Sequence, residues 1–369
     1  VAASRIPVSA SLPDFPWDTI AGARSTAAAH PGGIVDLSVG TPVDPVDPLI
    51  REALAAASEF PGYPLTVGTG ELRAAAAAAL HRRYDTVELA GEQILPVIGT
   101  KEAIAGVCST LGLQSGSTVV LPKIAYPTYE VGALLAGATP VRADDSGTAD
   151  LAEAALVFLN SPSNPTGAVL GVDELRAAVA WARERGAIVV SDECYLGLAW
   201  EAEAVSVLDP RVCDGDTTGL LAVHSLSKIS NLASYRAGFF AGDRGLIAEL
   251  LAVRKHSGLI VPFPIQAAMT AALADDRHVE EQAQRYRARR EVLKPAVIEA
   301  GMRVDDSEAG LYLWATRDED ARVTHHWLAQ RGILAAPGDF YGPAGATHVR
   351  IALTASDEQI AEAARRLRG

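Results

Sequence analysis

The chain of 369 residues, 49% hydrophobic and 21% charged, is long enough for a sizeable core and more than one packed unit. A formal net charge of −13 without a long basic run argues against a nucleic-acid partner. Cys108, Cys194 and Cys213 are odd in number and lack paired short spacings, so neither a disulfide framework nor a metal site is expected. No apolar stretch has the length of a membrane span, and the start lacks a positive segment followed by an apolar one, so the expectation is a cytoplasmic protein without a membrane partner.

Residues 1–38 are rich in proline and alanine, with Phe15-Pro16-Trp17 as an apolar anchor that packs elsewhere. From Gly40 to about Val261, short apolar runs alternate with longer amphipathic stretches, which predicts an α/β unit with a mostly parallel sheet flanked by helices. Strands are predicted within Leu95–Ile98, Thr118–Leu121, Leu156–Leu159, Ala187–Val190, Leu220–Val223 and Gly238–Phe240, and helices over Ala103–Leu111, Val172–Arg185 and Arg244–His256. Val279–Ala300 reads as a long connecting helix with a solvated face. Beyond it, Gly310–Trp314 and His348–Leu353 read as strands of a smaller α+β unit. Ser356–Arg368 closes the chain as an amphipathic helix, with Ser356 as its cap and Glu358 and Gln359 in its first turn.

Polar residues cluster just after the apolar runs, and in open α/β sheets ligands bind beyond the carboxyl ends of the strands. Lys228, one of five lysines, sits in Ser225-Leu226-Ser227-Lys228 after Leu220–Val223 and eight residues before Arg236. An amine there can form a Schiff base with an aldehyde cofactor while Ser225, Ser227 and Arg236 hold a phosphate beside it. Three further segments follow apolar runs: Gly99-Thr100-Lys101-Glu102, Asn160 through Gly167 and Ser191-Asp192-Glu193-Cys194-Tyr195. Gly99-Thr100-Lys101 opens a helix, whose amino terminus offers N–H groups to a phosphate. Each residue has a plainer reading: Lys228 or Lys101 as a solvated lysine, Asp192 as a helix cap, and Asn164 as part of an Asn-Pro turn.

Taken together, asparagine, aspartate, tyrosine, lysine and arginine occur in the order and approximate spacing of the class I/II aminotransferases, which the chain resembles from Leu37 to Arg350. The resemblance implies fold type I and pyridoxal 5'-phosphate as cofactor. It also implies a large domain over 39–265 and a small domain built from 1–38 and 266–369. Under it, Asp192 pairs with the protonated ring nitrogen, Tyr195 and Asn164 hydrogen-bond the ring's phenolic oxygen, and Tyr126 stacks on the ring, although a core aromatic is an alternative. Tyr63, in Gly62-Tyr63-Pro64, resembles the tyrosine that reaches the phosphate of the neighbouring subunit, implying a homodimer with shared active sites. Gly40 resembles the glycine whose backbone passes close to the substrate carboxylate, with Asn164 also near substrate. Arg350, within Val349-Arg350-Ile351-Ala352-Leu353, is the candidate for that carboxylate, the alternative being an arginine on the wet face of a strand. His224, His325 and His326 lack patterned partners and are read as structural.

Within the family, Leu12–Asp18 and Asp36–Pro45 resemble the N-succinyldiaminopimelate aminotransferases of lysine biosynthesis. That implies ping-pong transfer from a glutamate donor to a keto-acid acceptor, N-succinyl-2-amino-6-ketopimelate, giving N-succinyl-LL-2,6-diaminopimelate. An aminotransferase for another amino acid, a lyase using the same cofactor and a non-catalytic cofactor sensor are the alternatives. Trp17, Arg24, Tyr126, Arg254 and Lys255 are candidates for the distal end of the substrate.

Overall fold

The computed structural model describes residues 7–144 and 153–369, so residues 1–6 of the expected small domain lie outside the described residues. The first strand, β1 (Val35–Asp36), pairs in parallel with Ile333–Leu334 from the other end of the chain. Seven strands follow: β2 (Ile94–Ile98), β3 (Thr118–Pro122), β4 (Thr139–Ala143), β5 (Leu156–Asn160), β6 (Ile188–Asp192), β7 (Leu220–Ser225) and β8 (Ala237–Gly242). They form one sheet in the order β2-β8-β7-β6-β5-β3-β4. The run from β7 to β4 is parallel, as expected, whereas β8 is antiparallel to both its neighbours. The connection from Ser225 to Ala237 holds no crossover helix, so the chain turns straight back.

Both faces of the sheet are covered, so the strands are apolar runs without a wet side. Successive residues alternate between two cores: Val120, Val157, Leu159, Val189 and Ala222 pack on one side, and Leu121, Leu156, Phe158, Val190 and Val223 on the other. Strand β4 was not legible as a strand, because Pro140 and Arg142 interrupt its apolar character. Such residues are tolerated at the sheet's edge, where β4 lies.

The helix Val172–Arg185 has the predicted bounds, and Ser356 caps Asp357–Arg368 by accepting from the Gln359 N–H at 3.3 Å. The helix expected from Ala103 begins at Thr100, which makes Gly99 its cap. Phe263–Ala274 packs on the helices Pro48–Ala56 and Gly70–Tyr84, and Arg277–Glu299 leads to the second sheet. That sheet contains β9 (Arg303–Asp305), β10 (Tyr312–Thr316), β12 (Ala336–Pro337) and β13 (His348–Ala352) in the order β12-β13-β10-β9; Ile333–Leu334 is β11. Strand β10 starts two residues later than predicted, since Gly310 has φ +78° and its carbonyl accepts from Trp200 Nε1. The Phe15-Pro16-Trp17 anchor packs against this part of the molecule, Trp17 lying 5.4 Å from Phe340 between ring centroids.

Candidate active site

The polar residues after the apolar runs meet at the carboxyl ends of β5, β6 and β7. Asn160 and Asp192 are paired in register at the ends of β5 and β6, and Ser225 ends β7. Lys228 follows in the turn toward β8, where its Nζ donates to the carbonyl of Gly40. Burial draws the Lys228 amine below the usual lysine range, with the cations Arg350 and Arg236 adding to it.

Asp192 is buried and accepts from Tyr129 Oη at 2.8 Å and from the Cys194 N–H at 3.2 Å. Burial raises its proton affinity despite these two bonds, and among the described residues no cation pairs with it. Asn160 braces the strand end: its Nδ2 donates to Asp192 O at 2.9 Å, and its Oδ1 accepts from Asn164 N at 2.7 Å.

Arg350 is 3% exposed, so it does not lie on a wet strand face. Its Nη1 donates to Asn164 Oδ1 at 2.8 Å and its Nη2 to Ser38 O at 2.7 Å, while Nε has no partner among the described residues. Five guanidinium N–H groups thus make two protein contacts, and the remainder can serve an anion. Because Asn164 Oδ1 faces Arg350, its Nδ2 is the end left to donate into the site. The Arg350 guanidinium lies 3.9 Å from the ring centroid of Tyr312, whose hydroxyl is 3.1 Å from that of Tyr195.

Gly99, at φ +77°, brings the amino terminus of Thr100–Thr110 beneath Arg236; a Cβ at Gly99 would collide with Arg236 Nη2. Arg236 itself holds a left-handed backbone, φ +56°, which costs a non-glycine residue energy and sets its side chain over that helix end. Buried Ser225 and Ser227 lie in the same turn. Free helix N–H groups, two hydroxyls and a guanidinium make an anion cradle.

The profile of the aminotransferases of class I and II matches residues 33–367. The chain belongs to this family.

This aminotransferase is 64% identical over 99% of its length to a probable aminotransferase of Mycobacterium tuberculosis, covering 88% of that protein. It is 54% identical, over 96% of its length and 99% of the relative, to the 4-dedimethylamino-4-oxo-anhydrotetracycline transaminase OxyQ of Streptomyces rimosus. A solved structure of a probable N-succinyldiaminopimelate aminotransferase from Thermus thermophilus superposes with a TM-score of 0.85 at 30% identity, covering 96% of this chain and 99% of that one. The fold is therefore fold type I, and the family depends on pyridoxal phosphate. The residues present fit that group: an anion cradle for its phosphate, a buried carboxylate with no cation partner among the described residues for its ring nitrogen, and an amine of lowered basicity to hold its aldehyde carbon.

The aminotransferase's Lys101 side chain is exposed over the Phe15 ring, 5.5 Å from its centroid, so its ammonium faces the amino-terminal segment. Tyr126 is half-buried and meets Tyr129 edge-on at 5.7 Å; burial pushes its phenol up to about 12, with Asp192 and Tyr312 near enough to influence it. Tyr63 is 96% exposed and touches none of these groups within its own subunit. Of the distal candidates, Arg24 pairs with Asp36 at 2.9 Å and Arg254 with Glu102 at 2.9 Å, so both charges are engaged, and Lys255 is exposed. Sequence reasoning gave no role to Asn160, Tyr129 or Tyr312. Asn160 opens a segment already quoted and Tyr129 lies three residues after Tyr126, whereas Tyr312 reads simply as an apolar strand residue.

Proposed function

We propose that the protein transfers an amino group from glutamate to a keto acid by ping-pong chemistry, with Lys228 as the residue that holds the cofactor. The carrying observation is Arg350, a buried guanidinium with no acidic partner among the described residues, set on the same Gly40–Tyr312 surface that receives Lys228 Nζ. When bound, pyridoxal phosphate supplies an electron-withdrawing ring that stabilises negative charge at the substrate α-carbon. Arg350 binds the α-carboxylate through its free N–H groups and fixes the α-carbon. Lys228 Nζ takes the α-proton, for which its lowered basicity is suited. Asp192 keeps the ring nitrogen charged; Asn164 Nδ2 and Tyr195 Oη donate to the phenolic oxygen. Arg236, Ser225, Ser227 and the Gly99–Thr100 backbone anchor the phosphate. The exposed Tyr63 serves the neighbouring active site of a homodimer.

For the acceptor we propose N-succinyl-2-amino-6-ketopimelate, supported by the amino-terminal segments and by the Thermus thermophilus structure. The 54% identity to OxyQ supports a second reading in which the acceptor is a fused-ring ketone. With glutamate fixed as donor, kcat/KM should be greatest for the succinylated acid among that acid, pyruvate, oxaloacetate, phenylpyruvate and a polycyclic ketone. A higher value for the ketone establishes the second reading, and a higher value for a small keto acid rejects both. Formation of a fragmented keto acid in place of the amino form of the cofactor would mark a lyase.

A further inference from the structure

Tyr312 carries a hydroxyl into the middle of the site, where a bare ring would suffice to pack against Arg350. Its oxygen lies 3.1 Å from that of Tyr195, and a Cβ on Gly40 would collide with it. The carbonyl of Gly40 accepts from Lys228 Nζ, so lysine, glycine and both tyrosines are contiguous. Each phenol has one proton, and a pair joined by one hydrogen bond has one proton left to give outward. If Tyr195 donates to the cofactor's phenolic oxygen, as in the function proposed above on which this inference rests, Tyr312 must donate the shared bond. Burial opposes ionisation of Tyr312, but the cations Arg350 and Lys228 beside it favour ionisation and draw the phenol below its usual range. A more acidic phenol is a stronger donor.

We propose that Tyr312 is a positioning residue: its hydroxyl fixes the direction of the Tyr195 hydrogen bond and thereby tunes the nitrogen joining Lys228 to the cofactor, while its ring holds Arg350 for the substrate carboxylate. Without the hydroxyl, Tyr195 is a weaker donor, the phenolic oxygen is more basic, and that nitrogen keeps its proton to higher pH. A role confined to packing predicts none of this for Tyr312→Phe, which retains the ring.

The test is a pH titration of the visible absorbance of the cofactor-loaded protein, with steady-state kinetics. In Tyr312→Phe the midpoint should rise by about half to one pH unit, the loss of roughly one neutral hydrogen bond. Turnover should fall several-fold with KM for glutamate unchanged, whereas Tyr312→Leu should also raise KM. An unchanged midpoint and turnover in Tyr312→Phe overturn the proposal. If the wild type forms no Lys228-dependent absorbance, the proposed function fails and this inference with it; a normal wild-type absorbance with an unchanged midpoint in Tyr312→Phe rejects the inference alone.

Discussion

Two consecutive buried carboxylates, Asp192 and Glu193, end in opposite circumstances. Asp192 accepts from Tyr129 Oη and the Cys194 N–H, has the Cys194 thiol beside it, and meets no cation among the described residues. Glu193 receives three hydrogen bonds, from Ser191 Oγ at 3.0 Å, Ser206 Oγ at 2.7 Å and Val207 N at 2.7 Å, and lies 3.3 Å from His224 Nε2. That last approach is a close contact, not an aligned hydrogen bond. Glu193 and His224 line a cavity of about 20 Å³, room for a single water. Extended backbone sends adjacent side chains to opposite sides, so one strand end presents an unfinished electrostatic site to the cleft and a well-furnished carboxyl group to the core. The carboxylate that meets no cation among the described residues is the one proposed for the chemistry, and the other braces the core.

Changes on the cleft side should act on chemistry and leave the fold intact. Lys228→Ala should have the largest effect, abolishing transamination and the borohydride-trappable yellow absorbance. Trapped cofactor on Lys101, Lys123, Lys255 or Lys294 would instead assign the amine elsewhere. Asp192→Asn should retain much of the cofactor but slow α-proton exchange by about 10²–10³-fold, a typical loss for one preorganised electrostatic contact. Near-normal exchange would leave Asp192 a bracing residue for Tyr129 and Cys194. Arg350→Ala should weaken amino-donor binding by about 2–5 kcal/mol without preventing cofactor attachment, since it removes one side of a buried charge pair. Equal affinity for every donor, measured by spectral titration, would place the carboxylate elsewhere.

The contrast also explains what the sequence made legible. Apolar runs located the strands but ended early at β5, β6 and β7, because Asn160, Ser191, Asp192, His224 and Ser225 still hold strand pairing while facing polar surroundings. The motifs named Asp192, Asn164, Lys228 and Arg350, which carry charge or turn chemistry and stand out against apolar neighbours. Tyr129 and Tyr312 did not stand out, since a buried tyrosine looks like core until its hydroxyl is seen to have a partner. Glu193 was hidden for another reason: Ser206, Val207 and His224 come from distant segments that only the folded chain brings together. The direction of β8 depended on the return path of the chain through Lys228 and Arg236, about which hydropathy says nothing.

On the core side, the comparison sharpens into a pH experiment with a smaller effect. Burial pushes Glu193 up to about 7 from an ordinary 4.5, with its hydrogen bonds opposing, and lowers His224 to about 3 from 6.5. A carboxyl group of raised folded pKa contributes stability that is fully present below the unfolded value and lost as pH rises through the folded one. A histidine of depressed folded pKa acts oppositely, losing its contribution as pH falls below 6.5 toward 3. From 4.5 to 6.5 the two slopes oppose each other; above 6.5 His224 is neutral in both states and the Glu193 slope stands alone. Glu193→Gln removes the ionisation, and its amide nitrogen in the place of Oε2 can donate to His224 Nε2 while its oxygen in the place of Oε1 still accepts from Val207 N and Ser191 Oγ. Relative to the variant, the wild type should therefore lose stability between about pH 5 and 8, by an amount on the order of 3 kcal/mol or less. Denaturant melts of both proteins at matched pH values measure this difference. Parallel stability curves across that window would show that the Glu193 carboxyl ionises in the folded protein as readily as in the unfolded chain; a proton shared with His224 would give the same fall as a protonated Glu193, because it belongs to the pair.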